Sequence, residues 1–88
     1  MEEYAAATLI DARGLRCPWP ALRLARAMRM APGDAAGAGA SFLLLADDPA
    51  APREIAALAA EHGWRAEPVE GGMRVTRPRA ADAENSAR

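Results

Sequence analysis

Residues 8–30 read TLIDARGLRCPWPALRLARAMRM, and this stretch joins a short strand, a turn and an amphipathic helix. Thr8–Ala12 is the strand candidate, and Gly14 marks the turn that follows it. The pattern over Pro18–Met30 is helical, because apolar residues recur there at spacings of three and four. They form two sets: Leu22, Ala25 and Met28, and Leu24, Ala27 and Ala31. The only cysteine of the chain, Cys17, lies where this strand and this helix meet.

The remaining sequence predicts three more strands and one more helix. Ser41–Ala46 is a continuous apolar run of a length typical of a buried strand. The acidic pair and proline at residues 47–49 are typical of a helix start, with Asp48 as the expected cap. A helix is predicted over Pro49–Glu61, although Pro52 can delay its regular part to that residue. Two final strands are joined by a glycine turn at residues 70–72: Trp64–Val69 and Met73–Thr76.

The order of these elements predicts an α+β fold. Two strand–helix–strand crossovers require parallel pairing, whereas the final hairpin is antiparallel. We therefore expect a two-layer α/β sandwich of the order βαβαββ, with a mixed four-stranded sheet and both helices packed on one face. Residues 8–77 form the expected domain. Residues 1–7 read as a flexible N-terminus and residues 78–88 as a disordered C-terminal tail.

Composition excludes several classes of function. The 88 residues are enough for one small core, and the net charge of −1 argues against direct binding of nucleic acid. No segment has the length and apolarity of a membrane span, and the first residues lack the features of a signal peptide. Asp47 and Asp48 alone are too few ligands to predict a metal site. A single cysteine fits a reducing compartment, so we expect a cytoplasmic monomer.

Cys17 lies at the start of the predicted helix, a position that is expected to change the pKa of its thiol. Free N–H groups and the helix dipole favour an anion there, so the pKa of a thiol is expected to fall. Pro18 and Pro20 remove two N–H groups and fix the backbone. The N–H groups of Trp19 and Ala21 are then expected to remain available to a sulfur anion.

The sequence leaves the N-cap of this helix open between two residues. Cys17 can be the N-cap with Pro18 as the first helical residue, or Trp19 can be, since a residue before proline avoids the helical region. Arg13 and Arg16 are expected to add positive potential in either register. Gly14 would allow the backbone to pass close to the sulfur without a side chain in between.

The chain lacks several residue types that cysteine chemistry often uses, and this limits the reactions expected of Cys17. There is no second cysteine to resolve an oxidised thiol, and the one histidine, His62, follows the second helix. A nucleophile without a base, a metal cluster or a deep pocket suggests a carrier, and a persulfide needs only exposure and an anion-stabilising site. The alternative is a non-catalytic protein-interaction module in which Cys17 is a structural helix cap. A thiol peroxidase is a third interpretation.

The motif around the cysteine resembles the signature of TusA-like (SirA-like) sulfur-carrier proteins. It reads Asp11-x-Arg13-Gly14-Leu15-x-Cys17-Pro18-x-Pro20, and the later Ala46-Asp47-Asp48-Pro49-Ala50 is similar as well. The resemblance implies a βαβαββ fold and a sulfurtransferase that carries sulfur as a Cys17 persulfide, without any other cofactor. It implies a cysteine desulfurase or rhodanese-like donor and an acceptor protein. Destinations in this family include tRNA thiolation, molybdenum cofactor assembly and sulfur oxidation.

One residue of the motif departs from some members of the family. Trp19 is a bulky aromatic at a variable position where some members carry glutamate, which is expected to alter partner docking. Arg23, Arg26 and Arg29 form a basic stripe along the same helix. We expect Trp19, Arg23 and Arg26 to contribute to the docking of an acidic partner.

Overall fold

The computed structural model describes residues 7–78, and the order βαβαββ is confirmed. The predictions for residues 1–6 and 79–88 lie outside the described residues. A turn of 3₁₀ helix, Gly33–Ala36, lies between the first α-helix and the second strand. The elements are β1 (Thr8–Asp11), α1 (Trp19–Arg29), β2 (Ser41–Leu45), α2 (Ala51–His62), β3 (Arg65–Val69) and β4 (Gly72–Thr76).

The four strands form one mixed sheet in the order β1-β2-β4-β3. β1 pairs with β2 in parallel, and the other two pairs are antiparallel. Ile10 lies opposite Leu44, which lies opposite Met73, so one row of apolar side chains crosses three strands. The edge strand β3 contains Pro68, at a position where a missing N–H group costs little. Because β1 and β2 run in the same direction, their C-terminal ends meet at one edge of the sheet.

Both helices cover the same face of the sheet. Leu24 and Met28 of α1 and Ile55 of α2 are almost completely buried in a single core. The side chains of the sheet that join this core alternate along the strands, as expected when one face is packed and the other faces solvent. They are Ile10, Phe42, Leu44, Met73 and Val75. The two-layer sandwich is therefore the architecture of the chain.

The apolar face of α1 is narrower than the sequence pattern predicts. Its buried residues are Pro20, Leu24 and Met28, which follow one another at a spacing of four. Leu22 lies outside this row, and 51% of it is exposed. Leu22 stays exposed because only one stripe of a helix can face a flat sheet.

Arg77 joins the end of β4 to the end of α1. Its backbone N–H donates to the Ala40 carbonyl at 2.9 Å, and its guanidinium donates to the Met28 carbonyl. The same guanidinium lies over the Phe42 ring, 5.5 Å from the ring centroid. An arginine near the last carbonyls of a helix is favourable, and here it also closes the core beside Phe42.

Candidate functional site

Cys17 lies on a loop that leaves the sheet at the C-terminal ends of β1 and β2. The loop continues the sheet for one residue, since the Ala12 N–H donates to the Leu45 carbonyl at 2.7 Å. It then turns, with the Leu15 N–H donating to the Ala12 carbonyl at 3.2 Å. Gly14 has φ of 83° in this turn, a value that suits glycine. Leu15 packs against the core and so anchors the middle of the loop.

Two carboxylates from the loop between β2 and α2 hold this cysteine loop. The Gly14 N–H donates to Asp47 Oδ1 at 3.0 Å, and the Cys17 N–H donates to Asp48 Oδ2 at 2.6 Å. The second oxygen of Asp48 accepts from the Ala50 N–H at 3.2 Å. These bonds from Cys17 and Ala50 hold the pKa of Asp48 below its usual range. The position of Cys17 is thus set from a second element, more than thirty residues away in sequence.

The start of α2 differs from the prediction because Asp48 bonds to the cysteine loop. Asp48 was expected to cap this helix, but the N-cap is Ala50, and no side chain caps the helix by a hydrogen bond. Asp48 instead bridges the cysteine loop and the residue that precedes the helix. The regular helix begins at Ala51, immediately before Pro52.

The helix that follows the cysteine begins in neither of the two predicted registers. Its N-cap is Pro18, and the Cys17–Pro18 peptide bond is cis. The Trp19 N–H donates to the Arg16 carbonyl at 2.8 Å, which closes a turn around Cys17. Trp19 therefore offers no free N–H group to a sulfur anion, and this expectation was wrong. Pro20 is buried and serves the core of the protein.

The environment of the Cys17 thiol raises its pKa, contrary to the expectation from the helix dipole. Cys17 is exposed. The largest contribution to its higher pKa is desolvation by surrounding protein atoms, followed by hydrogen bonding to the Glu54 carboxylate and by the negative charges of Glu54 and Asp48. Arg53 acts in the opposite direction and is outweighed. The site as it stands favours the neutral thiol.

Arg13 is paired with a carboxylate rather than with the sulfur, and Arg16 acts on a carboxylate through its charge. The Arg13 guanidinium donates to both oxygens of Asp11, at 2.9 and 2.8 Å. These bonds lower the pKa of Asp11 to about 2. Arg16 contributes to the lowered pKa of Asp48. The two arginines thus neutralise acids around the cysteine loop, and the cation that acts on the thiol is Arg53.

The predicted docking residues lie together on one surface, which we call the α1 surface. Trp19, Arg23 and Arg26 line a groove of about 240 Å³ with Leu15 and Leu22. Arg23 and Arg26 also line a neighbouring groove of about 460 Å³ between α1 and β1, whose wall includes Leu9 and Met30. Three of the large hydrophobic side chains that stand exposed in residues 7–78 belong to this surface: Trp19, Leu22 and Met30.

Comparison with known proteins identifies the family. The sequence model of the family described as sulfurtransferase TusA matches residues 8–76, which span β1 to β4. The chain belongs to the TusA family. The crystal structure of a SirA-like protein from Desulfitobacterium hafniense is similar, with 29% sequence identity and a TM-score of 0.61. That match covers 78% of this chain and 92% of the other.

As a member of the TusA family, the chain has a general role in sulfur transfer. Within residues 7–78, acidic, cysteine and histidine side chains form no cluster suited to holding a metal ion. None of the helices in that part of the chain has the length and apolarity to cross a membrane.

Sequence reasoning missed four residues that surround the cysteine loop in this TusA-family protein. Asp47 and Asp48 were assigned to a helix start, and Arg53 and Glu54 received no role. A signal for the first pair was present: parallel pairing of β1 and β2 brings the residues after both strands to one edge of the sheet. The second pair depends on how α2 packs beside the cysteine loop, which a sequence pattern does not specify.

Proposed function

We propose that this protein is a sulfur carrier that transports sulfane sulfur as a persulfide on Cys17. The observation that carries the proposal is the exposed position of the only cysteine, on a loop that Asp47 and Asp48 hold at a fixed place. A carrier needs its sulfur accessible to two different proteins in turn, and it needs no substrate pocket. No cofactor other than the covalent persulfide is required.

The transfer step conserves electrons and needs no external oxidant. Cys17 loses its proton to a base of the donor or to water, and the thiolate attacks the outer sulfur of a persulfide on the donor protein. A bond forms between the Cys17 sulfur and the transferred sulfur, while the sulfur–sulfur bond of the donor breaks. The donor cysteine leaves as a thiolate and takes up a proton. The same exchange, with Cys17 as the leaving group, passes the sulfur to an acceptor.

The donor and acceptor follow from the family resemblance. We propose a cysteine desulfurase or a rhodanese-like protein as donor and a second sulfurtransferase protein as acceptor. The pathway is tRNA thiolation, molybdenum cofactor assembly or sulfur oxidation. We assign the reaction to the cytoplasm, because reducing conditions keep a single exposed thiol free. The carrier acts as a monomer, and its contact with RNA is indirect, through the acceptor.

Partner docking is assigned to the α1 surface. It combines exposed apolar side chains with Arg23 and Arg26, and interfaces are enriched in aromatic residues, methionine and arginine. An acidic partner with an apolar centre is complementary to this composition. Trp19 is 58% exposed and stands two residues from Cys17, so it contacts any protein that reaches the sulfur. Trp19 therefore contributes to the choice of partner.

Intact-mass measurement tests the proposed function. The purified protein is incubated with a cysteine desulfurase and cysteine, and in parallel with thiosulfate plus a rhodanese or with polysulfide. We expect a mass gain of one sulfur atom that reductant removes and that Cys17→Ser abolishes. If no donor produces this gain in folded protein, the sulfur-carrier function is wrong.

The α1 surface also favours a second candidate, a protein-interaction module that does not use the thiol. Exposed apolar residues flanked by arginines can bind a partner whether or not Cys17 reacts. The two functions differ in a complementation test in cells that lack the protein. A carrier fails when Cys17 is replaced by serine, whereas an interaction module retains its role and fails when Leu22→Glu disrupts the surface.

A further inference from the structure

The strand β1 is an edge of the sheet, and no strand in residues 7–78 pairs with its outer side. The Ala12 N–H points to β2, since it donates to the Leu45 carbonyl at 2.7 Å. Successive residues of a strand turn their backbone groups to alternate sides, so those of Leu9 and Asp11 point outward. The Arg23 guanidinium donates to the outward Asp11 carbonyl at 3.2 Å. The Leu9 N–H, the Leu9 carbonyl and the Asp11 N–H are left for another chain.

The two edges of the sheet differ in how open they are to another strand. The other edge, β3, contains Pro68 together with the charged residues Arg65 and Glu67. Proline and charged side chains are means by which natural proteins block strand addition at an edge. β1 contains no proline, and its charged residue, Asp11, lies at its last position. β1 is therefore the edge of this sheet that can accept a further strand.

A groove between β1 and α1, which we call the β1 groove, offers a place for such a strand. Its volume is about 460 Å³, and every residue of β1 lines it. The side chains of β1 point alternately to opposite faces of the sheet, so the part of β1 that they share along the groove is its backbone edge. The facing wall is α1, with Arg23, Arg26, Ala27 and Met30. An extended segment in this groove would pair with β1 and contact α1.

The charged side chains that line the β1 groove favour an acidic ligand. They are Asp11, Arg23 and Arg26. The Asp11 carboxylate already accepts bonds from the Arg13 guanidinium, at 2.9 and 2.8 Å. The positive charges of Arg23 and Arg26 therefore remain available to carboxylates of a bound segment.

From these features we propose that the β1 groove binds an extended acidic segment of a partner protein, which adds to the sheet as a further strand beside β1. This inference rests on the proposed function, and it adds the means by which a partner is recognised. Alternate side chains of the segment face α1, where acidic residues meet Arg23 and Arg26. The others lie on the open face of the sheet beside Leu9, which is 61% exposed, and are apolar.

A second copy of this chain is not complementary to the β1 groove. Two copies paired through β1 about a two-fold axis would each present the same surface to the other. Arg23 and Arg26 of one copy would then face Arg23 and Arg26 of the other, and like charges repel. The occupant that fits the charges is a segment of a different protein.

The β1 groove adjoins the surface that leads to the sulfur. Arg23 and Arg26 also line the smaller groove of the α1 surface, together with Trp19. Trp19 stands two residues from Cys17. A segment bound along β1 therefore holds the rest of its protein beside the cysteine loop.

Peptide binding followed by NMR tests the proposal. The probe is a capped peptide of about eight residues, alternating glutamate and valine, which is long enough to span β1. It is titrated into isotope-labelled full-length protein. We expect saturable shifts centred on β1 and slower hydrogen exchange of the Leu9 and Asp11 amides, because both amides become hydrogen-bonded. The proposal is overturned if no saturable shift occurs up to about 2 mM peptide, where a complex with a millimolar Kd is populated.

N-methylated peptides distinguish strand addition from the attraction of charges alone. One peptide is methylated at every glutamate amide and the other at every valine amide, so each loses the N–H groups of one edge while its charge is unchanged. We expect one of the two to bind about tenfold or more weakly than the unmethylated peptide, because it loses its backbone bonds to β1. The other should bind as the unmethylated peptide does. Equal binding by both methylated peptides would overturn strand addition.

Variants of the protein test the same contacts from the other side. Leu9→Pro removes an outward N–H group and should weaken peptide binding about tenfold. Arg26→Glu should weaken it by a similar factor, whereas Arg65→Glu on β3 is the matched control and should have no effect. If Arg26→Glu weakens binding no more than Arg65→Glu does, the proposal is overturned. The methylated peptides keep the test decisive if Leu9→Pro fails to fold.

The result is independent of sulfur transfer, because peptide binding does not involve the thiol. If the peptide binds but Cys17 accepts no sulfur from any donor, the carrier function is wrong and the strand-binding edge stands. If Cys17 is loaded but the peptide does not bind, this inference alone is wrong. A dimer in sedimentation velocity that the peptide dissociates would assign the groove to a second copy and would also overturn the proposal.

Discussion

At the scale of single residues, the central feature is that Asp48 links the cysteine loop to the start of α2 through one carboxylate. It accepts from the amides of Cys17 and Ala50, and both bonds depend on the folded chain. Such a bridge positions a reactive residue without a dedicated helix cap. The general rule that a helix start lowers the pKa of a thiol fails here, because desolvation, and after it the Glu54 and Asp48 carboxylates, raises the pKa of Cys17.

The pH dependence of stability tests this role of Asp48. Its pKa is lower in the folded protein than the usual 3.8, so its contribution to stability is present above pH 3.8 and is lost as the pH falls below that value. We expect the free energy of unfolding, from urea titrations at several pH values, to decrease in that acidic range. Asp48→Asn should show a flatter dependence there, while Glu67→Gln, an exposed acid of β3, should follow wild type. Parallel curves for wild type and Asp48→Asn would contradict the assignment.

At the scale of elements, most of the fold follows from the sequence, and the exceptions have local causes. The strands and helices were predictable because their apolar periods differ and because glycine and proline mark the turns. The helix α2 ends at Gly63, a residue type typical of a helix C-terminus. The beginnings of both helices were wrong by one or two residues, because Cys17 and Ala50 bond to Asp48 rather than to side chains of their own helices.

The hairpin between β3 and β4 offers a prediction at this scale. A Cβ atom on Gly72 would lie 1.8 Å from the Leu44 carbonyl oxygen of β2, so the backbone of one strand would have to move. We expect Gly72→Ala to lower the free energy of unfolding by about 2 kcal/mol or more, measured by urea denaturation. Gly71→Asn is the contrast: φ of 82° is accessible to asparagine and the space is open. Equal, small losses for both variants would contradict the close packing at Gly72.

The site was predictable only where its residues lie close together in the sequence. The motif identified Cys17, and the helical period grouped Arg23 with Arg26, which do line one surface. The residues that tune the thiol come from another element and were not predictable by proximity in sequence. Leu22 shares the helical spacing of the apolar residues, yet the sheet covers only one stripe of α1 and Leu22 is exposed.

At the scale of the whole molecule, exposed apolar side chains are concentrated on one side of the protein, the α1 surface. A net charge of −1 conceals this asymmetry, because the arginines of α1 stand together beside exposed Trp19, Leu22 and Met30. The sulfur lies at one end of this surface. A partner bound there would reach Cys17 without entering the fold, as the proposed sulfur carrier requires.

Charge reversal on this surface should weaken transfer without affecting the thiol itself. We expect Arg26→Glu to slow sulfur transfer from the donor protein about tenfold or more at low salt, with a smaller difference at high salt because exposed charges are screened. Loading by polysulfide, a small reagent that needs no docking, should be unchanged. Arg65→Glu on the distant edge strand β3 is the matched control. Equal effects of the two reversals would contradict docking on the α1 surface.

The measurement that bears most directly on the central claim follows one sulfur atom through the protein. A donor is charged with radiolabelled sulfur, the carrier is separated from it, and the label is located by peptide mapping before an acceptor protein is added. The account predicts that reductant-sensitive label resides on the peptide containing Cys17 and then appears on the acceptor, and that Cys17→Ser carries none. Label that reaches the acceptor equally well through Cys17→Ser would contradict it.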